Sequence, residues 1–182
     1  MKSNLSTAAF LLFFILLFGF NLNSCSTAAT RDRFQYTRLD FDAEMCGTVD
    51  GEKIEASLKS RPSAEDGKCV LLLSFRSPAA LCGLTLSRDA SGETEARLGE
   101  LVLPSIDADG FFEPFLSLVY RGDAFSVRYD GNQNAIVSVC DENCDLVYLF
   151  QKEYSYPRQI SGTVGSRKIE LTLEKLDFID GQ

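Results

Sequence analysis

From residue 41 onward, apolar and polar positions alternate in short runs broken by turn-forming dipeptides, the pattern of half-buried β-strands. Phe41 to Val49 leads into Asp50-Gly51, a pair that suits a two-residue hairpin because both positions tolerate a positive φ. Ile54, Ala56 and Leu58 then alternate with Glu55, Ser57 and Lys59, and Arg61 to Gly67 reads as a polar turn. Val70 to Phe75 (VLLLSF) is apolar almost throughout, which predicts a strand covered on both faces. Pro78 ends that strand. After a turn around Leu81-Cys82-Gly83, Leu84 and Leu86 alternate again. Ala90 to Glu93 reads as a turn and Glu95 to Leu103 as one further strand region. Phe125/Val127/Tyr129, Ile136 to Cys140, Leu146 to Phe150, Gln159 to Val164 and Ile169/Leu171/Leu173 bring the expected total to about ten strands. An antiparallel meander of that size predicts a mainly β (α+β) domain, with one large curved antiparallel sheet or an open barrel.

One segment breaks the alternation. Phe112, Phe115, Leu116 and Val119 fall at i, i+3, i+4 and i+7, the period of an amphipathic helix. Pro114 is tolerated only in a first turn, so the helix is expected from about Phe112 to Tyr120, with Gly122 near its end. Its apolar stripe needs a partner, and the concave face of the sheet is the one available. Val70, Leu72 and Phe75 are expected to line the opposing wall. Two outcomes stay open: a groove that accepts an apolar ligand, or a core that Phe111, Phe112, Phe115 and Leu116 fill.

The N-terminus follows a different pattern. Lys2 precedes Ala8 to Phe20, an uninterrupted apolar run with the length of a signal-peptide core and too short for an ordinary membrane span. Leu22-Asn23-Ser24-Cys25 reads as a lipobox, with a large apolar residue, a small residue next to the cut, and then Cys; Asn23 departs from the small or β-branched residue usual there. Residues 1–24 are therefore expected to be a lipoprotein signal peptide and Cys25 the lipid attachment site. A short tether follows to residue 33 (STAATRDR from Ser26), and residues 34–182 form the domain. A later cut, after Ala29, and an uncleaved anchor are the alternatives. The first expectation places the domain in the cell envelope, held at the outer face of a membrane.

Composition narrows the chemistry. A formal net charge of −8 argues against nucleic acid and against simple electrostatic docking on anionic lipid. The sequence has no His, which removes Ser-His and Cys-His nucleophile pairs and the commonest zinc ligand. Asp107-Ala108-Asp109-Gly110 begins like a calcium loop but lacks the later ligands, and no Gly-rich phosphate loop or nucleophile elbow is present. Arg121-Gly122-Asp123 is a tripeptide frequent by chance. No cofactor and no metal are expected.

There are six cysteines, at 25, 46, 69, 82, 140 and 144. With lipid on Cys25, at least one of the others is unpaired. Cys140 and Cys144 flank Asp141-Glu142-Asn143 at an expected hairpin, where a short-loop disulfide is geometrically open. Their spacing matches neither a redox nor a zinc motif. Cys46, Cys69 and Cys82 are expected as buried free thiols packing as small apolar groups.

Phe75-Arg76-Ser77-Pro78-Ala79-Ala80-Leu81-Cys82-Gly83-Leu84 gives a strand, Ser-Pro, Leu-x-Gly and a second strand. Together with the Asp50-Gly51 hairpin, a helix after Leu101 to Pro104, and an ending of Tyr156-Pro157-Arg158, Gly162 and Leu176-Asp177-Phe178, this order resembles uncharacterised bacterial lipoproteins of the LolA/LolB-like (lipoprotein-carrier) superfamily. The resemblance spans about residues 34–178. It implies a half-barrel wrapped around helices and able to shelter acyl chains, although fewer helices are expected here than in the carriers.

The expected function is a non-enzymatic envelope lipoprotein, acting as a monomer, that binds or passes a lipid or a lipoprotein acyl chain. The rival is a structural or protein-interaction lipoprotein with a filled core. An enzyme is the remotest of the three.

Overall fold

A computed structural model of the chain describes residues 33–62, 69–104, 106–120 and 126–179, with Cys69 described by its backbone alone. Cys25, the expected leader and the expected tether up to residue 32 lie outside the described residues, as do Phe125 and the Arg121-Gly122-Asp123 tripeptide with the Gly122 expected at the helix end.

The expected sheet is present, built from eleven strands: β1 (Phe41–Val49), β2 (Glu52–Pro62), β3 (Cys69–Ser77), β4 (Leu84–Arg88), β5 (Thr94–Leu98), β6 (Leu101–Val102), β7 (Ser126–Tyr129), β8 (Ala135–Cys140), β9 (Cys144–Phe150), β10 (Gln159–Val164) and β11 (Arg167–Phe178). They form one open antiparallel sheet in the order β6-β5-β4-β3-β2-β1-β11-β10-β9-β8-β7, which does not close into a barrel. Two meanders run outward from a central β1·β11 pair, whose register places Phe41 beside Phe178 and Val49 beside Ile169. The first meander ends at one edge and the second starts at the other. The connecting segment must therefore cross a whole face of the sheet.

Local chemistry accounts for the hairpins. Asp50 (φ 53) and Gly51 (φ 84) form the expected two-residue turn between Val49 and Glu52. The region expected as one strand over Glu95 to Leu103 is split by a turn at Gly99 (φ 61), which pairs Leu98 with Leu101 and creates β6. Arg61 and Pro62 belong to β2 rather than to a turn.

The strands other than the two edge strands, β6 and β7, bury the same face. Phe41, Met45, Leu58, Leu73, Leu86, Leu146, Tyr148, Phe150, Ile160 and Ile169 are fully buried on it. Here the expectation for β3 is corrected. Leu71, Leu73 and Phe75 point inward, whereas Val70 and Leu72 lie on the other face, with Val70 47% exposed. The reason is the two-residue pleat. A helical layer covers one face only, so a continuous apolar run still divides into an inner and an outer set.

The helix is also corrected in start and winding. It begins at α1 (Ala108–Phe112) and passes directly into a 3₁₀ segment, Glu113–Val119. Asp107 caps it, its side chain accepting from the Gly110 N–H at 3.0 Å, so the apparent calcium motif is a helix cap. Pro114 has no N–H to continue the α ladder, and the tighter 3₁₀ winding takes over. With three residues per turn, Phe112, Phe115 and Leu118 come into line and are buried, while Leu116 and Val119 are only half-buried against the core.

Candidate functional site

The crossing helix is fastened by two buried phenols, Tyr148 of β9 and Tyr36 of a 3₁₀ turn, Gln35–Arg38, that precedes β1. The Tyr36 hydroxyl donates to the Leu118 carbonyl at 2.9 Å, and the Tyr148 hydroxyl donates to the Ser117 carbonyl at 2.8 Å. Ser117 Oγ donates back to the Pro114 carbonyl at 2.8 Å. The two phenol bonds satisfy carbonyls that the end of a helix leaves without intrahelical partners. Phe34 packs edge-on against Tyr148 and Phe150, with ring centroids 5.0 and 5.7 Å away. Under the C-terminal half of the helix the core is therefore full. Burial raises the pKa of both Tyr36 and Tyr148 well above the ordinary phenol value.

Space remains under the N-terminal half. A cavity of about 230 Å³ lies between the helix, the tip of the β1–β2 hairpin and the end of β3. Ile54, Phe75, Pro78, Leu81, Phe111, Pro114 and Phe115 make its apolar wall, and Val49, Asp50, Glu52 and Arg167 complete it. Phe75 and Phe115 meet edge-to-face with centroids 5.7 Å apart. The Arg167 guanidinium sits 5.9 Å from the Phe111 ring centroid and 3.5 Å from Asp50 Oδ2. Asp50 Oδ1 accepts from the Lys168 N–H at 2.9 Å, which ties the hairpin tip to the start of β11.

Of the residues expected to line a groove, Phe75 and Phe115 do so. Phe112 is fully buried in the core, Leu116 and Val119 pack beside it, and Val70 and Leu72 are on the outer face. Sequence reasoning missed Leu81, Phe111, Pro114 and Arg167 as wall residues. The alternation after Asp50-Gly51 did mark Ile54 as inward-facing. The others are assembled from separate elements and carry no local signal.

The cysteine expectations are corrected in two places. Cys140 is exposed and Cys144 buried, on opposite faces of the sheet, and both are free thiols. Cys140 pairs with Asp145 rather than with Cys144, so the pleat turns the two sulfurs apart. Burial pushes the Cys144 thiol up to about 11, helped by its hydrogen bond with Asp141. Cys82 is exposed rather than buried, and Cys46 is intermediate. Asp141 is lowered from the usual carboxylate range, first by the Asn143 N–H and then by the Tyr120 hydroxyl at 2.8 Å. It serves to cap a turn.

At the opposite end of β1 and β11 a second depression, about 450 Å³, is lined by Arg33, Gln35, Tyr36, Leu39, Tyr129, Ser155 and Phe178. Among the described residues no cluster of His, Cys, Asp and Glu is arranged to hold a metal ion, and no helix is long and apolar enough to cross a membrane.

No family model matches the chain. No curated protein matches it either. Solved structures do. MucB is similar over 86% of this chain at 14% identity, with a TM-score of 0.54. The chain spans 60% of the length of MucB, which has also been solved in complex with MucA(peri). An uncharacterized conserved protein from Thermus thermophilus is similar over 83% of this chain and 86% of its own, at 13% identity and a TM-score of 0.50. A LolA superfamily protein from Nitrosomonas europaea matches over 86% of this chain and 95% of its own, at 8% identity and a TM-score of 0.41. At these identities the likeness is one of fold.

Proposed function

We propose that this is a non-enzymatic envelope lipoprotein, anchored through Cys25, whose pocket takes in the end of an apolar chain such as a lipid acyl group. The observation that carries the reading is the apolar wall of Ile54, Phe75, Leu81, Phe111 and Phe115 around about 230 Å³ of space. That volume is below the roughly 300–1,000 Å³ of ordinary ligand sites. The pocket therefore suits part of an acyl chain rather than a whole lipid. The polar atoms at its rim come from Asp50, Glu52 and Arg167, and no nucleophile stands beside a base in its wall. The resemblance of residues 34–178 to the lipoprotein-carrier superfamily supports binding of this kind. The anchoring rests on the lipobox and on the apolar run before it.

Native mass spectrometry tests the pocket. A Cys25→Ser form, exported and unlipidated, is incubated with a series of saturated fatty acids and compared with the same form carrying Leu81→Trp. A fatty-acid adduct on the first, lost when the indole fills the pocket, supports binding. Adducts on neither form decide against it.

The second reading, a structural or protein-interaction lipoprotein with a filled core, is favoured by the hydrogen bonds from Tyr36 and Tyr148 to the helix. Phe115→Ala separates the two. In a filled core it leaves a cavity and costs about 3–5 kcal/mol with no gain of ligand. In a ligand pocket it enlarges the space and lets longer fatty acids be retained.

A further inference from the structure

Large apolar side chains that are exposed among the described residues gather in two places, with Val70 standing apart. One is the β5–β6 hairpin, with Leu98, Leu101 and Val102, and nothing in the structure shows what covers it. The other is the end of the sheet where β1 begins and β11 ends. There Leu39 (51% exposed), Tyr129 (59%), Phe178 and Ile179 lie exposed. Leu39, Tyr129 and Phe178 line one depression together with Arg33. Ile179 is held next to them by its N–H bond to the Asp40 carbonyl at 2.9 Å.

We propose that this rim is a membrane-resting face, with Leu39, Tyr129, Phe178 and Ile179 entering the interfacial layer of the bilayer that holds the lipid anchor. The inference rests on lipid attachment at Cys25.

The chain itself names the occupant. Arg33 lines the depression, and Cys25 precedes it by eight residues, which span at most about 26–29 Å even when fully extended. The opposite end of the sheet, at Asp50 and Arg167, lies eight residues along β1, about 26 Å away. Turning that end to the membrane would require the tether at nearly its full stretch, against its conformational entropy. Turning the Arg33 end down costs no such extension.

The side chains suit the interface. Tyrosine and other amphipathic or apolar groups partition to the headgroup boundary, where a ring sits in the apolar layer and a hydroxyl stays wet. The protein is acidic overall, yet the acids at the start of β1 and the end of β11 are partnered. Asp42 pairs with Arg61 at 2.6 Å, Asp40 lies 3.9 Å from the same guanidinium, and Asp177 pairs with Lys175. Arg33 and Arg38 add positive charge close by. The contact is thus apolar, and a zwitterionic surface is sufficient. In this orientation the pocket mouth at Asp50 and Arg167 faces away from the membrane, so a ligand enters it from the aqueous side.

The absence of Trp from the sequence gives a clean test. Single reporters Phe178→Trp and Lys53→Trp are introduced into the lipidated protein, which is reconstituted into phosphatidylcholine vesicles with acyl chains brominated or not. The docking predicts a blue shift and a loss of emission from Phe178→Trp in brominated vesicles, and neither change from Lys53→Trp near the hairpin tip. Flotation with the vesicles without quenching of Phe178→Trp overturns the docking and leaves the anchor standing, as does equal quenching at both positions. Failure to float with the vesicles overturns the anchor and the docking together. A dimer mass for the detergent-solubilised protein, lost in Phe178→Glu, would assign the rim to a second copy and overturn the proposal as well.

Discussion

Tyr148 fills space with its ring and ends the helix with its hydroxyl. The ring is fully buried among Phe34 and Phe150, and the hydroxyl reaches the Ser117 carbonyl at 2.8 Å. Tyr148→Phe keeps the first contribution and removes the second, so it is expected to cost about 1–3 kcal/mol in urea unfolding, the loss expected when a buried carbonyl is deprived of its donor. The same substitution tests the pH dependence. Burial raises the folded-state pKa of Tyr148, so its contribution is fully present below the unfolded value of 10.0 and is lost as the pH rises above it. Cys144 acts in the same direction, beginning near its ordinary value of 9.0 and extending to about 11. The thermal midpoint is expected to fall between about pH 8 and pH 11, and to fall less steeply in Tyr148→Phe. An unchanged slope would remove Tyr148 from the account. In the sequence Tyr148 is one inward position of an alternating strand, and its partner is invisible there.

At the scale of elements, β10 shows what a local pattern leaves out. Gly162 sits between β9 and β11 with φ 139, and a Cβ there would lie 2.0 Å from the Asp145 carbonyl oxygen. The clash is with backbone, which cannot give way without moving β9. Gly162→Ala is expected to cost about 1–3 kcal/mol by strain alone, measured by chemical denaturation. Gly131→Ala, at a turn where a Cβ meets nothing within 4 Å, is expected to leave the midpoint nearly unchanged. The strands were legible because a pleated strand with one buried face writes its period into the sequence. The helix was legible in existence and in its end but not in its winding. Phe112 and Phe115 satisfy both a period of 3.6 and a period of 3.0, and only the path forced by Pro114 made Leu118, not Leu116, the third buried residue.

At the scale of the molecule, the arrangement separates two ends. The apolar pocket opens where the β1–β2 hairpin meets Arg167, and the chain enters the domain at the other end, beside Leu39 and Phe178. A lipid on Cys25 would hold the second end near the bilayer. Cys25→Ala is expected to move the mature protein from the membrane fraction to the soluble one, read by fractionation and by the mass of the released chain. A variant that stays membrane-bound with its leader intact would make the leader the anchor.

The sequence by itself determined what depends on neighbours along the chain: the Asp50-Gly51 hairpin, the alternation of each strand, and the presence of one helical segment after β6. These follow from steric and hydrophobic rules that act over a few residues. The tertiary structure alone decided which face of β3 is covered, that Cys140 and Cys144 point apart, and that the helix is pinned over half its length while a pocket survives under the rest. Those outcomes come from pairs far apart in the chain, Tyr36 with Leu118 across 82 positions and Asp50 with Lys168 across 118. Such pairs leave no periodic trace, because their geometry exists only once both meanders have closed on the central β1·β11 pair.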